Sequence, residues 1–310
     1  MAGKATRESY GAALAKLGET HHFYVLDADL SKSTKTDVFK KAFSHRFINC
    51  GIAEGNMMSV AAGIASTGIP VFVSTFAMFA AGRGFEQIRN SIGYPHLNVK
   101  ICATHAGITV GEDGATHQCN EDLALMRTIP GMVVMNPADD KEAQAAVEAA
   151  LKIDGPVYIR FGRYAVPSVT DEHTFEVGKG QLLREGHDVT LAATGMMTHI
   201  ALNAAEILQS EGISAAVCNI ATIKPIDREL LTQCAKNTGA IVTCEEHTIM
   251  GGFGSAVAEV VAESYPVPVL FVGVEDAYGK SGTVPALLEH YGLTAEKVVE
   301  KAKAAIALKR

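Results

Sequence analysis

Short runs of apolar residues alternate with longer segments of helical periodicity along most of the chain. An apolar run of about four to eight residues, bounded by polar residues or glycine, is typical of a strand that is buried on both faces. The runs predicted to be strands are residues 23–26, 46–50, 71–74, 99–104, 132–135, 157–160, 188–193, 214–219, 240–244 and 267–272. Helical segments separate most of them, so the pattern predicts an α/β fold with two doubly wound, mostly parallel sheets.

A polar stretch near the middle of the chain divides these elements into two groups. Residues 164–187 are rich in proline, serine, glycine and charged residues. The length of 310 residues is also typical of two domains of about 150 residues each. We therefore predict a first domain over residues 1–165, a linker over residues 166–187 and a second domain over residues 188–310.

Composition argues against several classes of function. The 27 Lys and Arg residues against 34 Asp and Glu residues give a net charge of −7, whereas binding to nucleic acid needs clustered positive charge. No apolar run approaches the length of about 18 residues that a membrane span needs. The first ten residues, MAGKATRESY, lack the apolar core of a signal sequence, so we expect a cytoplasmic protein. The six cysteines form no CxxC pair, which favours reduced structural thiols over a metal site.

Glu54 is the most unusual residue in this pattern. It stands between a predicted strand and a helix of small residues, and nearly all of its sequence neighbours are apolar or tiny. A carboxylate in such surroundings is costly to desolvate and needs a partner. One interpretation is a solvent-facing carboxylate favoured by the helix dipole. The residues described next favour the other interpretation, a buried acid that acts on a bound cofactor.

Other polar residues follow predicted strands. In a doubly wound sheet, ligands bind at the carboxyl ends of the strands. The residues at these ends are Asp27, Asp29, Ser74, Thr75, His105, the loop of residues 111–118, Arg160 and Arg163. Histidine can exchange protons with hydroxyl groups, and arginine can bind a phosphate through two hydrogen bonds. Each residue alone is compatible with an ordinary surface role, but their joint placement favours an anionic, polyhydroxylated substrate.

Phe76 and Phe79 lie close to this group of polar residues. A helix is predicted from Phe76 to about residue 91, and residues three apart on a helix are neighbours on one face. The two rings are therefore either part of the core or an aromatic wall against a flat heterocycle. Gly82 continues the same face and leaves room there.

Four segments in this order resemble the transketolase family of thiamine-diphosphate enzymes. They are GIAEGNM at 51–57, STFAMF at 74–79, THAGITVGEDGATHQ at 104–118 and NPAD at 136–139. The resemblance covers residues 1 to about 165 as the pyrimidine-binding domain and residues 186–310 as the carboxyl-terminal domain. It implies a subunit that transfers a two-carbon ketol unit from a ketose, expected to be phosphorylated, to an aldose acceptor.

The resemblance also implies roles for individual residues. Glu54 corresponds to the glutamate that contacts N1′ of the pyrimidine, and His117 to the histidine beside the reacting carbonyl. The cofactor contacts are assigned to Glu54, Phe76, Phe79 and Asp29; the family often has a third aromatic residue where this chain has Gly82. Asp113 is assigned to a substrate hydroxyl. The substrate phosphate is assigned to His105, Arg163, Arg7 and Ser33, with Arg160 as the runner-up.

One part of the family pattern is missing from this sequence. A Gly-Asp-Gly motif followed by Asn, which holds the diphosphate and a metal ion in the family, is not found. The resemblance therefore implies a separate amino-terminal subunit that binds the diphosphate with Mg²⁺ or Ca²⁺. This chain would supply no metal ligand, would homodimerise within an α2β2 assembly, and would be inactive by itself.

Three alternatives stay open at this point. The first is the β-type subunit of another thiamine-diphosphate enzyme, such as a 2-oxoacid dehydrogenase or a deoxyxylulose-phosphate synthase. The second is a non-catalytic regulatory subunit, which the presence of both Glu54 and His117 disfavours. The third is a dinucleotide-binding dehydrogenase, which is disfavoured because no GxGxxG follows the first strand.

Overall fold

The computed structural model describes residues 3–170 and 175–309, so residues 171–174 of the predicted linker lie outside the described residues. The strands are β1 (Lys4–Ala5), β2 (Tyr24–Asp27), β3 (Phe47–Asn49), β4 (Val71–Phe76), β5 (Val99–Thr104), β6 (Val133–Met135), β7 (Val157–Arg160), β8 (Ala165–Val166), β9 (Gln181–Arg184), β10 (Val189–Ala193), β11 (Ala215–Asn219), β12 (Thr222–Lys224), β13 (Ile241–Thr248) and β14 (Val269–Val274). The α-helices are α1 (Thr6–Gly18), α2 (Ser31–Thr34), α3 (Asp37–Ala42), α4 (Glu54–Ala65), α5 (Phe85–Gln87), α6 (Asp122–Arg127), α7 (Asp140–Lys152), α8 (Met197–Ser210), α9 (Arg228–Thr238), α10 (Phe253–Ser264), α11 (Val284–His290) and α12 (Ala295–Ala307). Shorter 3₁₀ segments are Ser44–Arg46 and Ile108–Asp113, and π-helical segments are Phe79–Arg83 and Ile88–Gly93.

Two mostly parallel sheets organise the described residues. The first has the strand order β12-β6-β7-β5-β4-β2-β3, and its neighbouring strands are parallel except for β12 with β6. The second has the order β14-β13-β10-β11-β9, and its neighbouring strands are parallel except for β9 with β11. Buried apolar clusters lie on both faces of the first sheet. The predicted α/β fold with two doubly wound sheets is confirmed.

Strand pairing differs from the sequence-based picture in two places. β9 lies within the predicted linker, yet it pairs antiparallel with β11 as an edge strand of the second sheet. β12 follows the second domain's β11 in sequence, yet it pairs with β6 and so completes the first sheet. One buried cluster also continues from β4 and β5 to α9 and α10. The two halves of the chain are therefore tied together by a shared sheet and a shared core.

Capping residues in the sequence explain where helices α7 and α9 begin. The Asp139 carboxylate accepts a hydrogen bond from the backbone N–H of Glu142 at 3.0 Å, and the Glu142 carboxylate accepts one from Ala138 at 2.6 Å. This reciprocal cap satisfies donors that a helix amino terminus leaves free. Asp227 caps α9 in the same way through the N–H of Leu230. No helix in residues 3–170 and 175–309 is long and apolar enough to cross a membrane.

Candidate active site

Glu54 is the first residue of α4, and its side chain is buried, with 3% of the residue exposed. Its Oε1 accepts a hydrogen bond from Nη1 of Arg83 at 3.1 Å, whereas Oε2 has no hydrogen-bond partner among the described residues. This burial agrees with the interpretation that the polar residues at the strand ends favoured, and the interpretation of a solvent-facing carboxylate is wrong. Arg83 was not predicted, because it lies 29 residues further along the chain.

Two phenylalanine rings lie beside Arg83, the partner of Glu54. Phe76 is the last residue of β4, not the first of a helix as predicted, and Phe79 begins the π-helical segment. Their rings are stacked with centroids 5.7 Å apart, and the Arg83 guanidinium lies 4.3 Å from the centroid of Phe79. A Cβ atom at Gly82 would lie 2.7 Å from the Met78 methyl carbon, so the methionine fills part of the space beside Gly82. Arg83 therefore links Glu54 to the ring of Phe79.

His105 extends the same row of side chains on the other side of Phe76. It follows β5, is 3% exposed, and stacks on the Phe76 ring with a centroid distance of 3.8 Å. Arg7, near the start of α1, donates from Nη1 to His105 Nε2 at 2.9 Å and to the main-chain oxygen of Ser33 at 3.0 Å. The structure thus brings together Arg7, Ser33 and His105 beside the aromatic wall. We call this group the anion pocket.

The anion pocket has an excess of positive charge. Burial, followed by the charge of the nearby Arg163, lowers the pKa of Arg7. Arg7 Nε is also buried without a hydrogen-bond partner in the described part of the chain. Because arginine has only donors, the unpaired Nε and the adjacent guanidinium of Arg163 favour an anionic ligand. Arg163 itself is partly exposed and pairs with Glu112 at 3.3 Å.

The protonation state of His105 follows from the same contacts. Burial, followed by the charges of Arg7 and Arg163, lowers the pKa of His105 to about 3. Because Arg7 can only donate, Nε2 of His105 must accept, so the proton lies on Nδ1, which faces the Thr104 hydroxyl at 2.9 Å. His105 is therefore a neutral imidazole in its Nδ1–H form at neutral pH.

We expect ¹⁵N NMR of the imidazole to show His105 as neutral Nδ1–H at every pH from 5 to 8. His105 of the unfolded chain binds a proton below about pH 6.5, whereas His105 of the folded chain binds it only near pH 3. The contribution of His105 to the free energy of unfolding is therefore fully present above pH 6.5 and is lost as the pH falls from 6.5 to 3. In an Arg7→Met variant the pKa of His105 should move upward because one positive neighbour is removed. An imidazolium signal for His105 at pH 6 in the wild-type chain would contradict this assignment.

The remaining predicted site residues lie at different distances from this row. His117 is half-buried, and its ring meets Phe76 and Phe79 edge-on at centroid distances of 6.1 and 5.4 Å. Asp113 ends the 3₁₀ segment after His105 and is exposed. Asp29 is exposed after β2 with a φ of 66°, and its carboxylate accepts a hydrogen bond from Asn49 at 2.8 Å. The structure thus places His117 against the aromatic wall, and Asp29 and Asp113 on the surface.

Arg160 does not share the anion pocket with Arg7. Its side chain is 3% exposed, and its Nε pairs with the buried Asp122 at 3.0 Å. Its Nη2 donates to the main-chain oxygens of Cys119 and Glu246 at 3.3 and 2.8 Å. Arg160 was the runner-up for phosphate binding because the resemblance implies an arginine near this position in related deoxyxylulose-phosphate synthases. In the fold this side chain instead joins the two domains, and we correct that expectation.

Family comparisons agree with this geometry. The description "transketolase, pyrimidine binding domain" matches residues 2–168, and "transketolase, C-terminal domain" matches residues 178–298. The chain belongs to the transketolase family. This family depends on thiamine diphosphate, and its general activity is ketol transfer.

Individual transketolase relatives cover almost the whole chain. A protein of Methanocaldococcus jannaschii named "putative transketolase C-terminal section" is 48% identical over 303 residues, which are 96% of this chain and 95% of the relative. The 6-deoxy-6-sulfo-D-fructose transketolase subunit SqwH of Clostridium sp. is 44% identical over 278 residues, covering 89% and 86%. A solved structure described as a split gene transketolase in an inactive β4 tetramer has a TM-score of 0.91 and 57% identity, covering 99% and 100%.

Proposed function

We propose that this chain is the catalytic carboxyl-terminal subunit of a two-subunit transketolase that takes a ketol unit from a phosphorylated ketose. The observation that carries the proposal is the single row formed by the buried acid, the aromatic wall and the anion pocket. Glu54 pairs with Arg83, and the Arg83 guanidinium lies over the ring of Phe79. Phe79 stacks on Phe76, Phe76 stacks on His105, and His105 accepts a hydrogen bond from Arg7. The acid at one end of the row matches the ring of a cofactor. The anion pocket at the other end matches the phosphate of a substrate.

The residues at the acid end fit the aminopyrimidine of thiamine diphosphate. Glu54 Oε2 is a hydrogen-bond acceptor without a partner in the described chain, and Phe79 beside it is only half-buried. We propose that Glu54, Phe76 and Phe79, with Asp29 further out, hold this ring. When bound, the cofactor supplies the electron sink that lets a bond next to a ketose carbonyl break.

The protein's own groups then have separate tasks. With the cofactor bound, Glu54 would hold a proton against the pyrimidine ring, because a carboxylate at this low exposure needs a hydrogen-bond partner. His117, half-buried against the aromatic wall, exchanges protons with the hydroxyl groups of the sugar. Arg7, Arg163 and His105 bind the phosphate, with Ser33 at its edge, and Asp113 accepts from a sugar hydroxyl. Bidentate arginine contacts suit a phosphate oxygen pair.

The proposed partner is an amino-terminal subunit that binds the diphosphate and its Mg²⁺ or Ca²⁺. Among residues 3–170 and 175–309, no cluster of three or more His, Cys, Asp or Glu side chains could hold a metal ion. The sequence also lacks the Gly-Asp-Gly motif of the family. Relatives named as a section and as a subunit favour the same division, and we propose an α2β2 assembly in the cytoplasm.

Co-expression with an amino-terminal partner tests this function. The partner would be an adjacently encoded protein of about 270–300 residues that carries the Gly-Asp-Gly motif, a size that the resemblance to the family implies. The purified complex is assayed with D-xylulose 5-phosphate, 6-deoxy-6-sulfo-D-fructose, L-erythrulose and pyruvate as donors. Ketol transfer from xylulose 5-phosphate supports the proposal. Activity with pyruvate alone would favour the other thiamine-diphosphate enzymes, and a stable complex inactive with every donor would favour a regulatory subunit.

An Arg7→Ala variant of the complex is expected to raise the KM for xylulose 5-phosphate about 10- to 150-fold, because a charge-assisted hydrogen bond contributes about 1.5–3 kcal/mol. The kcat should change less than about threefold, since this contact is equally present before and during the reaction. L-Erythrulose, which has no phosphate, is the internal control and should keep its KM. Equal losses for both donors would contradict a phosphate contact at Arg7.

A further inference from the structure

The chain bends sharply where it leaves β5 to form the anion pocket. His105 has a φ of 56° and Gly107 a φ of 76°. Positive φ is unfavourable for a residue with a side chain, so the surrounding structure must hold His105 in place. Within the first domain, the N–H of Gly107 donates to Cys119 at 2.8 Å, that of Ala106 donates to Phe161 at 3.4 Å, and the Gln118 side chain donates to the main-chain oxygen of Ile108 at 3.1 Å.

The second domain supplies the contact on the inner side of this bend. Glu246 lies on β13 and is 4% exposed. Its Oε1 accepts a hydrogen bond from the backbone N–H of Thr109 at 2.7 Å. A Cβ atom at Gly107 would lie 2.3 Å from this same oxygen, so the carboxylate packs directly against the glycine Cα. Position 107 therefore needs glycine both for its φ and for the space that Glu246 occupies.

A buried carboxylate needs compensation, and Arg160 provides it. Burial raises the pKa of Glu246, while the charge of Arg160 and the hydrogen bonds from Thr109 oppose that shift. Arg160 also donates to the main-chain oxygen of Glu246 at 2.8 Å, which fixes the strand that carries the carboxylate. A cavity of about 20 Å³ beside Glu246, Arg160 and Thr109 has room for about one water molecule. The carboxylate is thus held in one position rather than free to turn.

We propose that Glu246 is a positioning residue of the second domain, whose carboxylate sets the bend from His105 to Thr109 and thereby the geometry of the anion pocket. The effect on substrate rests on the proposed function, but the effect on the bend does not. Glu246 touches Gly107 and Thr109, and His105 is two residues from the first of these. A substitution at Glu246 should therefore alter the phosphate contact by shifting the backbone of residues 105–109, although Glu246 itself does not contact the substrate.

The first test compares two donors in the assembled complex. Glu246→Ala is expected to raise the KM for xylulose 5-phosphate at least tenfold, while the KM for L-erythrulose and the kcat change less than threefold. Glu246→Gln keeps an oxygen that can accept from Thr109 and should restore the KM to within about threefold of wild type. Glu246→Asp keeps the charge but has a shorter reach, and it serves as the test variant if the alanine variant does not fold. An unchanged KM for the phosphorylated donor, or equal losses for both donors, would overturn the proposal.

The second test does not depend on activity. Amide hydrogen exchange of residues 105–113 in the isolated chain should become at least tenfold faster in Glu246→Ala than in wild type, and stay near wild type in Glu246→Gln. Glu142→Ala is the matched control, because Glu142 is also a buried glutamate between the domains, where it accepts from Asn219 at 2.7 Å. It should leave exchange at residues 105–113 unchanged. If the wild-type complex transfers no ketol unit, the proposed function fails, whereas unaltered exchange in Glu246→Ala rejects the positioning role itself.

Discussion

A Glu54→Ala variant of the assembled two-subunit enzyme is expected to turn over at least about 100-fold more slowly than wild type, in the range of a lost proton-transfer group. The Oε2 of Glu54 has no hydrogen-bond partner in the described chain and is proposed to share a proton with the cofactor ring. Alanine at this position leaves that ring nitrogen facing an apolar space. Steady-state kcat at saturating cofactor and donor is the measurement. More than about a tenth of the wild-type kcat would remove Glu54 from this role.

Two further variants separate chemistry from folding. Glu54→Gln keeps the shape of the side chain but cannot share a proton as a carboxylate does, so its kcat should fall nearly as far as that of Glu54→Ala. Arg83→Met removes the hydrogen-bond donor to Oε1 and leaves the acid in place. Because the Glu54 side chain is only 4% exposed, the loss of Arg83 should lower the free energy of unfolding, but it should leave kcat of the folded complex within about tenfold of wild type. Similar losses in Arg83→Met and Glu54→Ala would mean that the ion pair, not the acid, is what the site requires.

Arg160→Met is expected to lower the free energy of unfolding by about 3–5 kcal/mol, because it leaves the carboxylate of Asp122 buried without its charged partner. Asp122 is fully buried, and its remaining described hydrogen bond comes from the Tyr158 hydroxyl at 2.8 Å. The variant also removes the donor to the main-chain oxygens of Cys119 and Glu246, and with it a link between the domains. Thermal and urea unfolding of the isolated chain measure the loss.

The controls use the same type of substitution at other ion pairs. Arg228→Met breaks a pair with Glu263 whose side chains are 55% and 70% exposed, so its cost should be at most about 1 kcal/mol. The double variant Arg160→Met with Asp122→Leu replaces both buried charges and should recover much of the stability. If Arg160→Met unfolds at the wild-type temperature and instead raises the KM for a sugar phosphate, Arg160 is a ligand-binding residue after all.

The contacts of Arg160 and Glu246 also indicate a structural role for the second domain beside the site. Glu246 contacts the backbone that leads into the substrate loop, and Gln118, one residue after His117, donates to the main-chain oxygen of Lys280 at 2.9 Å. The loop that carries Asp113 and His117 therefore lies between the first domain's sheet and the second domain. A loop held from both sides can keep its side chains in a defined geometry, which a catalytic site requires.

The sequence by itself determined the fold class and the burial of Glu54. Apolar runs of strand length separated by helical segments allow little besides parallel sheets covered by helices. The burial of Glu54 could be predicted because its neighbours are small or apolar and polar residues follow several predicted strands, a combination that favours a buried acid in a site. The grouping of His105 and His117 near Phe76 also followed from the rule that carboxyl ends of parallel strands meet at one edge.

Only the tertiary structure decided which charged side chains meet. Arg160 and Arg163 are three residues apart, yet one is buried against Asp122 and the other donates to the main-chain oxygen of Val110 and to Glu112, because the strand ends between them. The pairing of Arg83 with Glu54, the return of β12 to the first sheet and the contact of Glu246 with Thr109 join residues that are distant in the chain. Periodicity predicts which face of each element is apolar. Which other element packs against that face depends on the arrangement of the whole chain, and this arrangement places Glu246 against Thr109.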